Sequence, residues 1–531
     1  MQELLNTIRG RFGDPVFLVA LAAALIAFAV QSGELGTSDT QHRLQSAHAF
    51  WTGEPEVSPN EYPDFGVRGR GGKVQSFYGI GQSLLMLPAD IAGTFLERLP
   101  AFKEYNGNDP AVRNIIVSYT TNIFLNVLTA LVCFRFLRRL DFSEAQAAAG
   151  VLALLVATTH LHYAQNMQEN NYIFLLTFAG LSYQYEWLVS GSRRALAIGS
   201  AAFGLNLLTR LTTGMDLVAG GLFILLAMLF EGARGRRLRD RCRAYLTVAV
   251  PIYLVFGFLD RLYQFYRFGS FFNTYMSLVA RETRQRDPSL PLNFPFTTPF
   301  HEGFLGALFA PAKSVFLFDP LLVVATLVVA VGWRRLTPSV KAYTLATWIL
   351  LLMYMAFYAR YFVWAGDFAW GDRYVSSVAE MAALLAVPLL LRYRGQLGRV
   401  VWSVGVALIA IAIAIQFASV AFWLSLEEYQ MDMLGRSSFV VGLRFKNIVE
   451  FALGRVDPFG LANAVDDPWD YQHLTSWNFL PFQLQHAGQA PAWVVQLTLA
   501  LWWAGLVGLI LTLWRLRKSV ARNGPTPTGL Q

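Results

Sequence analysis

Acids that can move protons and cations that can hold anions gather in a few short polar segments of this chain. Asp39 stands in Gly36-Thr37-Ser38-Asp39-Thr40-Gln41, directly after the first long apolar run. A carboxylate there can serve as a general base for a hydroxyl. It can equally cap the helix that follows, with Ser38 or Asp39 at the N-cap. A second acid, Glu169, closes the polar run His160-Leu161-His162-Tyr163-Ala164-Gln165-Asn166-Met167-Gln168-Glu169. It can act as a second acid, hold a divalent cation with a histidine, or offset a helix dipole. His160 and His162, at i and i+2, point apart on a helix, which argues against a two-histidine metal site.

The candidate anion-binding cations are scattered. Arg68, Arg70 and Lys73 lie in or beside a Gly-rich stretch, where backbone and cations can wrap a phosphate or form a plain surface loop. Arg210 ends one apolar run, Lys313 begins another, and Arg373 stands in Trp370-Gly371-Asp372-Arg373-Tyr374. Each can snorkel toward headgroups. Converging on one site, they would neutralise a phosphate leaving group. The sequence has no P-loop, no His-Glu-x-x-His and no serine nucleophile elbow, so nothing points to a nucleotide-driven pump or an ordinary hydrolase.

The elements that carry these residues are apolar helices. Of 531 residues, 55% are hydrophobic and 15% charged, against roughly a quarter charged in soluble domains. The apolar residues form runs long enough to cross ~30 Å of hydrocarbon. The expected architecture is an all-α polytopic membrane protein of about twelve spans, near 15–31, 114–135, 144–160, 172–190, 195–209, 215–230, 244–262, 315–333, 341–359, 375–392, 399–422 and 491–513. No small-residue cleavage site follows the first run, so it reads as an uncleaved helix. Cys133 and Cys242 have no neighbouring cysteine, and no disulfide is expected.

The net charge of +8 does not indicate a nucleic-acid partner, because the basic residues crowd the short links after even-numbered spans. Arg9 and Arg11, Arg135, Arg138 and Arg139, Arg193 and Arg194, Arg234 to Arg243, Arg334, Arg335 and Lys341, Arg392, Arg394 and Arg399, and Arg515 to Lys518 share one side. That side, with both termini and the tail 514–531, is expected to be cytoplasmic. The run 79–96 contains Pro88 and Asp90 and has amphipathic spacing, so it reads as an interfacial helix. Counting it as a span would also turn the basic links outward. The segments 32–113, 263–314 and 423–490 then form an outer cap of loops and short helices, with 1–422 as the main unit and 491–513 as a last span.

From the first run to Tyr374, several blocks occur in an order that resembles the GT-C superfamily of membrane glycosyltransferases. The nearest likeness is to bacterial relatives of protein O-mannosyltransferases and aminoarabinose transferases. The blocks are Asp39, Phe77-Tyr78-Gly79-Ile80-Gly81-Gln82 and on to Pro88, Thr158 to Gln165 followed by Glu169, Leu208 to Thr212, Phe268 to Tyr275, Leu308 to Lys313, and Trp370 to Tyr374.

The resemblance implies inverting transfer of a sugar from a polyprenyl-phosphate donor to a lipid, glycan or protein acceptor at the outer face. It implies a bacterial inner-membrane location and contact with membrane lipids. Asp39 matches the family's first-loop acid. Many relatives carry a second acid beside it; here the neighbour is Thr40, which leaves Glu169 as the second catalytic candidate. Arg68, Arg70, Lys73, Arg210, Lys313 and Arg373 would hold the donor phosphate. Tyr78, His160, His162, Tyr163, Trp370, Asp372 and Tyr374 would line the substrate site. No cofactor is implied, and a divalent cation stays open. The alternative is a multispan transporter or lipid flippase, though such proteins usually place charges near the midplane and carry internal repeats.

Overall fold

The computed structural model describes residues 14–103, 105, 109–166, 169–367, 369–423, 426–455 and 476–522. Arg9, Arg11, residues 456–475 of the third outer segment and the tail beyond residue 522 lie outside the described residues. Within them the chain is helical apart from one antiparallel ribbon, Gly66–Arg68 against Val74–Ser76, in register Gly66↔Ser76 and Arg68↔Val74.

Each of the twelve expected spans coincides with a helix or a pair of helices. Six are long and apolar enough to cross a membrane on that basis alone: Val112–Arg139, Leu211–Phe230, Gly235–Phe268, Pro338–Tyr358, Gly398–Ser419 and Ala492–Arg522. A seventh comes from the bent pair Glu144–Ala157 and His160–Asn166, which turn by 56° at Thr158 and Thr159. The remaining segments fall short for visible reasons. Pro15–Val30 and Arg193–Leu207 are only 16 and 15 residues long. Asn170–Ser190 carries Asn170, Asn171, Gln184 and Glu186. The run near 315–333 breaks at Asp319-Pro320, and that near 375–392 breaks between Ala383 and Ala386.

The bundle core is aromatic. Phe136 packs edge-on against Phe178, Tyr185 and Phe223 and tilts against Tyr343, with centroids 5.0–6.2 Å apart. At one end of the bundle the core gives way to a buried amide lattice. Gln165 donates to the carbonyls of Val30, Val420 and Asn478 and accepts from the Asn478 amide at 2.9 Å. One side chain thereby ties the first helix, the end of Gly398–Ser419 and the third outer segment together. That segment forms the helices Leu426–Leu434, Val440–Ala452 and Leu480–Ala487.

The run expected at the interface is the helix Ile80–Glu97. Leu84, Pro88, Ala92, Phe95 and Leu96 are exposed along one stripe, while Asp90 is fully buried on the other. Asp90 accepts from His48 at 3.0 Å, from Trp51 at 2.7 Å and from Arg113, which joins this helix to Ser38–Thr52 and Val112–Arg139.

The helix begins where Gly79 and Gly81 meet the turn after Arg193–Leu207. A Cβ on Gly79 would stand 2.4 Å from the carbonyl oxygens of Leu208 and Thr209, and one on Gly81 would stand 2.1 Å from the Thr209 hydroxyl. The Gly81 N–H donates to the Leu208 carbonyl at 3.0 Å. This approach sets Tyr78 beside the turn that carries Arg210. Gly79→Val must push two backbones apart, and overpacking of this kind costs ~1–3 kcal/mol. We expect it to lower the thermal midpoint of the purified protein and to cut activity at least as much as stability, because Tyr78 moves. A variant with wild-type melting and turnover would show that the contact is loose.

Candidate active site

Asp39 is not the N-cap of its helix. Thr37 caps Ser38–Thr52, its hydroxyl accepting from the Thr40 N–H at 3.4 Å, and Asp39 lies one residue inside the first turn. This corrects the capping alternative: a hydroxyl one or two residues earlier does that work and leaves the carboxylate to point elsewhere. Asp39 accepts from the Tyr78 hydroxyl through one oxygen and pairs with the Arg373 guanidinium through the other, both at 2.6 Å. Four residues on, the same helix face presents Arg43. Arg43 pairs with Glu169 at 2.8 Å, and Arg210 pairs with the other Glu169 oxygen. Arg43 also lies over the Tyr78 ring at 4.2 Å, and Arg210 and Arg373 each lie 5.4 Å from the Tyr374 ring centre.

These two carboxylates and three guanidiniums line one cavity of ≈ 650 Å³, together with Asp64, Asp367 and Arg286. An aromatic wall faces them. Tyr358 stacks on Tyr374 at 4.3 Å, Tyr361 meets it edge-on at 5.7 Å, and Phe65, Phe77, Tyr275, Phe294 and Phe296 complete the lining. Burial pushes the Asp39 carboxyl up, but Arg373, Arg43 and the Tyr78 hydrogen bond more than reverse this and hold it well below the usual carboxylate range. Burial brings Arg43 down to about 10, still protonated at neutral pH. Burial and the Asp39 charge raise Tyr78, so its hydroxyl stays a donor.

The turn that delivers Arg373 is fixed from beneath. Lys313 donates to the carbonyls of Asp367 and of Ala369, the latter at 2.8 Å, and does not line the cavity. Tyr163 donates to the Trp370 carbonyl at 3.1 Å, and His162 stacks on the buried Trp370 ring at 5.9 Å. Asp372 holds the Tyr374 N–H at 3.0 Å; burial pushes its carboxyl up to about 7. Asn170 donates to the Arg373 carbonyl at 2.8 Å. His160 lies deeper, 3.2 Å from Glu380, in a buried group where Thr159 bridges Glu380 and Asp319. It does not join Glu169. Asp39 and Glu169 are both engaged by arginines, and no three His, Cys, Asp or Glu side chains cluster as metal ligands among the described residues.

No protein-family model matches the chain, and no curated protein matches it in sequence. Solved structures do. An oligosaccharyltransferase of Archaeoglobus fulgidus in its apo form is similar at a TM-score of 0.45 and 12% identity, over 78% of this chain and 57% of that one. ArnT of Cupriavidus metallidurans bound to undecaprenyl phosphate is similar at 0.42 and 15% identity, over 95% of this chain and 77% of that one. The archaeal oligosaccharyltransferase AglB, in complex with an inhibitory peptide and a dolichol-phosphate, gives 0.44 and 12%, over 86% of this chain and 62% of that one. The chain therefore spans little more than half the length of the first of these proteins.

Of the residues expected at the site, Asp39, Glu169, Arg210, Arg373, Tyr78 and Tyr374 line the cavity. Lys313, His160, His162, Tyr163, Trp370 and Asp372 lie outside its lining, most of them in the layer that shapes the Arg373 turn. Arg68, Arg70 and Lys73 are exposed on and beside the ribbon turn and do not reach the cavity. The ribbon loop, residues 69–73, packs instead on the end of the helix Gly235–Phe268, where a Cβ on Gly69 would stand 2.5 Å from the Arg267 carbonyl oxygen. Arg43 went unrecognised in the sequence, although its i, i+4 spacing from Asp39 was the signal that places both on one face. Tyr275 ends one of the blocks that carry the resemblance but was not assigned to the site, and Tyr358 and Tyr361 had no such signal.

Proposed function

We propose that this chain is an integral-membrane glycosyltransferase that moves a sugar, with inversion, from a polyprenyl-phosphate donor to an acceptor hydroxyl. What carries the reading is a pair of unanswered donors. Arg43 Nη1 and Arg373 Nε are both buried without a hydrogen-bond partner, and both residues line the cavity that holds Asp39. Buried unpaired donors are costly. Phosphate oxygens are the acceptors that guanidinium groups fit best.

In the reaction, the acceptor hydroxyl gives its proton to Asp39 as its oxygen bonds to the anomeric carbon. The bond from that carbon to the phosphate oxygen breaks, and its electron pair leaves with the polyprenyl phosphate. Arg43 and Arg373 stabilise the charge that develops there. The tyrosine wall offers flat faces to the sugar ring, and the exposed rings of Phe357 and Phe362 at the rim offer apolar surface to the lipid.

The same lining supports an extracytoplasmic site. Its residues come from the links after odd-numbered spans and their flanks, while Arg138, Arg139, Arg193, Arg194, Arg234, Arg334 and Arg335 belong to the opposite, basic links and are absent from it. Both termini would then be cytoplasmic in a bacterial inner membrane. A structure determined with polyprenyl phosphate tests the assignment. We expect the phosphate within hydrogen-bond distance of Arg43 and Arg373. A phosphate seated on Arg68, Arg70 and Lys73 instead would contradict it.

A further inference from the structure

The charged groups around Asp39 and Glu169 are already paired. Asp39 spends one oxygen on Arg373 and the other on Tyr78; Glu169 spends its two on Arg43 and Arg210. A carboxylate held this way is a poor proton acceptor, because two donors already neutralise it. The two pairs differ in depth. The Arg43–Glu169 pair is almost sealed, with side chains 5% and 4% exposed, whereas Arg373 and Asp39 keep 15% and 19%. The outer pair is the one an arriving anion can open, and Arg373 already has its spare Nε donor there.

We propose that the donor's phosphate draws Arg373 away from Asp39, so that donor binding itself turns Asp39 into a base and must precede productive binding of the acceptor. The proposal rests on the reading of this cavity as a polyprenyl-phosphate-sugar site. After the exchange, Arg373 faces the phosphate, and Asp39 keeps Tyr78 and the neighbouring Arg43 charge. Asp39 has one oxygen free for the acceptor's proton. In the resting state the acceptor meets an acid already satisfied by Arg373, which disfavours transfer of the sugar to stray hydroxyls.

A double-mutant cycle on binding, with no turnover required, tests the exchange. The full chain is reconstituted in nanodiscs and titrated with polyprenyl phosphate. Asp39→Asn leaves Arg373 with no carboxylate to abandon, so this variant should bind roughly five- to tenfold more tightly than the wild type. In an Arg373→Gln background, itself weakened, the same Asp39→Asn change should no longer tighten binding. Arg373→Met replaces Arg373→Gln if the latter does not fold. Equal tightening in both backgrounds would mean that Asp39 acts only as a bulk negative charge, and the exchange is wrong. Weaker binding by Asp39→Asn would mean that Arg373 stays with Asp39 throughout. Failure of the wild type to bind polyprenyl phosphate at all would sink the donor assignment itself, a result distinct from the other two.

Discussion

Asp39→Asn is expected to abolish sugar transfer while the protein folds, inserts and melts close to the wild type. Loss of a positioned general base costs ~10²–10⁴ in rate. The fold is spared because Thr37, not Asp39, caps the helix, and because Arg373 and Asp39 are both partly open to solvent. The pH dependence has a definite sign. With its folded value depressed, Asp39 contributes stability above its unfolded value of about 3.9, and loses it only as pH falls through the lower folded value. For the free protein, kcat/KM should therefore show no acid limb from Asp39 in the ordinary carboxylate range. If donor binding releases Arg373, the acid limb of kcat, which reports the loaded enzyme, should lie at higher pH than that of kcat/KM. Near-normal turnover by Asp39→Asn on a donor that the wild type consumes would remove Asp39 from the chemistry.

Glu169→Ala should be the most destabilising single change at the site. It strands Arg43 and Arg210, two buried guanidiniums that share this one carboxylate. Breaking a buried ion pair by deleting one partner costs ~3–5 kcal/mol, because the remaining charge is left without compensation. Two cations are left here. Thermal unfolding of the purified protein should show a large loss, and expression should fall with it. Arg43→Met, Arg210→Met and Glu169→Ala combined should recover part of that loss, since no unpaired charge remains. A Glu169→Ala protein that melts with the wild type would show that the pairs are solvated and that Glu169 does not hold the arginines in place.

The sequence reads best where physics is local. Apolar runs gave the helices, and Asp90 within an amphipathic run marked Ile80–Glu97 as different from the spans. Asp39, Glu169, Arg210 and Arg373 stand out because they are charged residues in the short polar segments between apolar runs. What escaped the sequence depends on which way a side chain turns after its helix is placed. Lys313 stands at the head of an apolar run as Arg373 stands near one, yet it reaches down to backbone carbonyls. Arg68, Arg70 and Lys73 sit in a Gly-rich stretch that suits phosphate, but the stretch folds into a hairpin that carries them outward. Breaks such as Asp319-Pro320 and Thr158-Thr159 bend helices that hydropathy alone reads as continuous.

The most direct test is turnover. Purified protein in lipid is offered a panel of polyprenyl-phosphate sugars radiolabelled in the sugar, together with a membrane extract supplying acceptors. The wild type should deplete one labelled donor and release polyprenyl phosphate, and Asp39→Asn should deplete none. If no polyprenyl-phosphate sugar is consumed, or if Asp39→Asn consumes the same donor at the same rate, the cavity around Asp39 and Arg373 is not the site of sugar transfer.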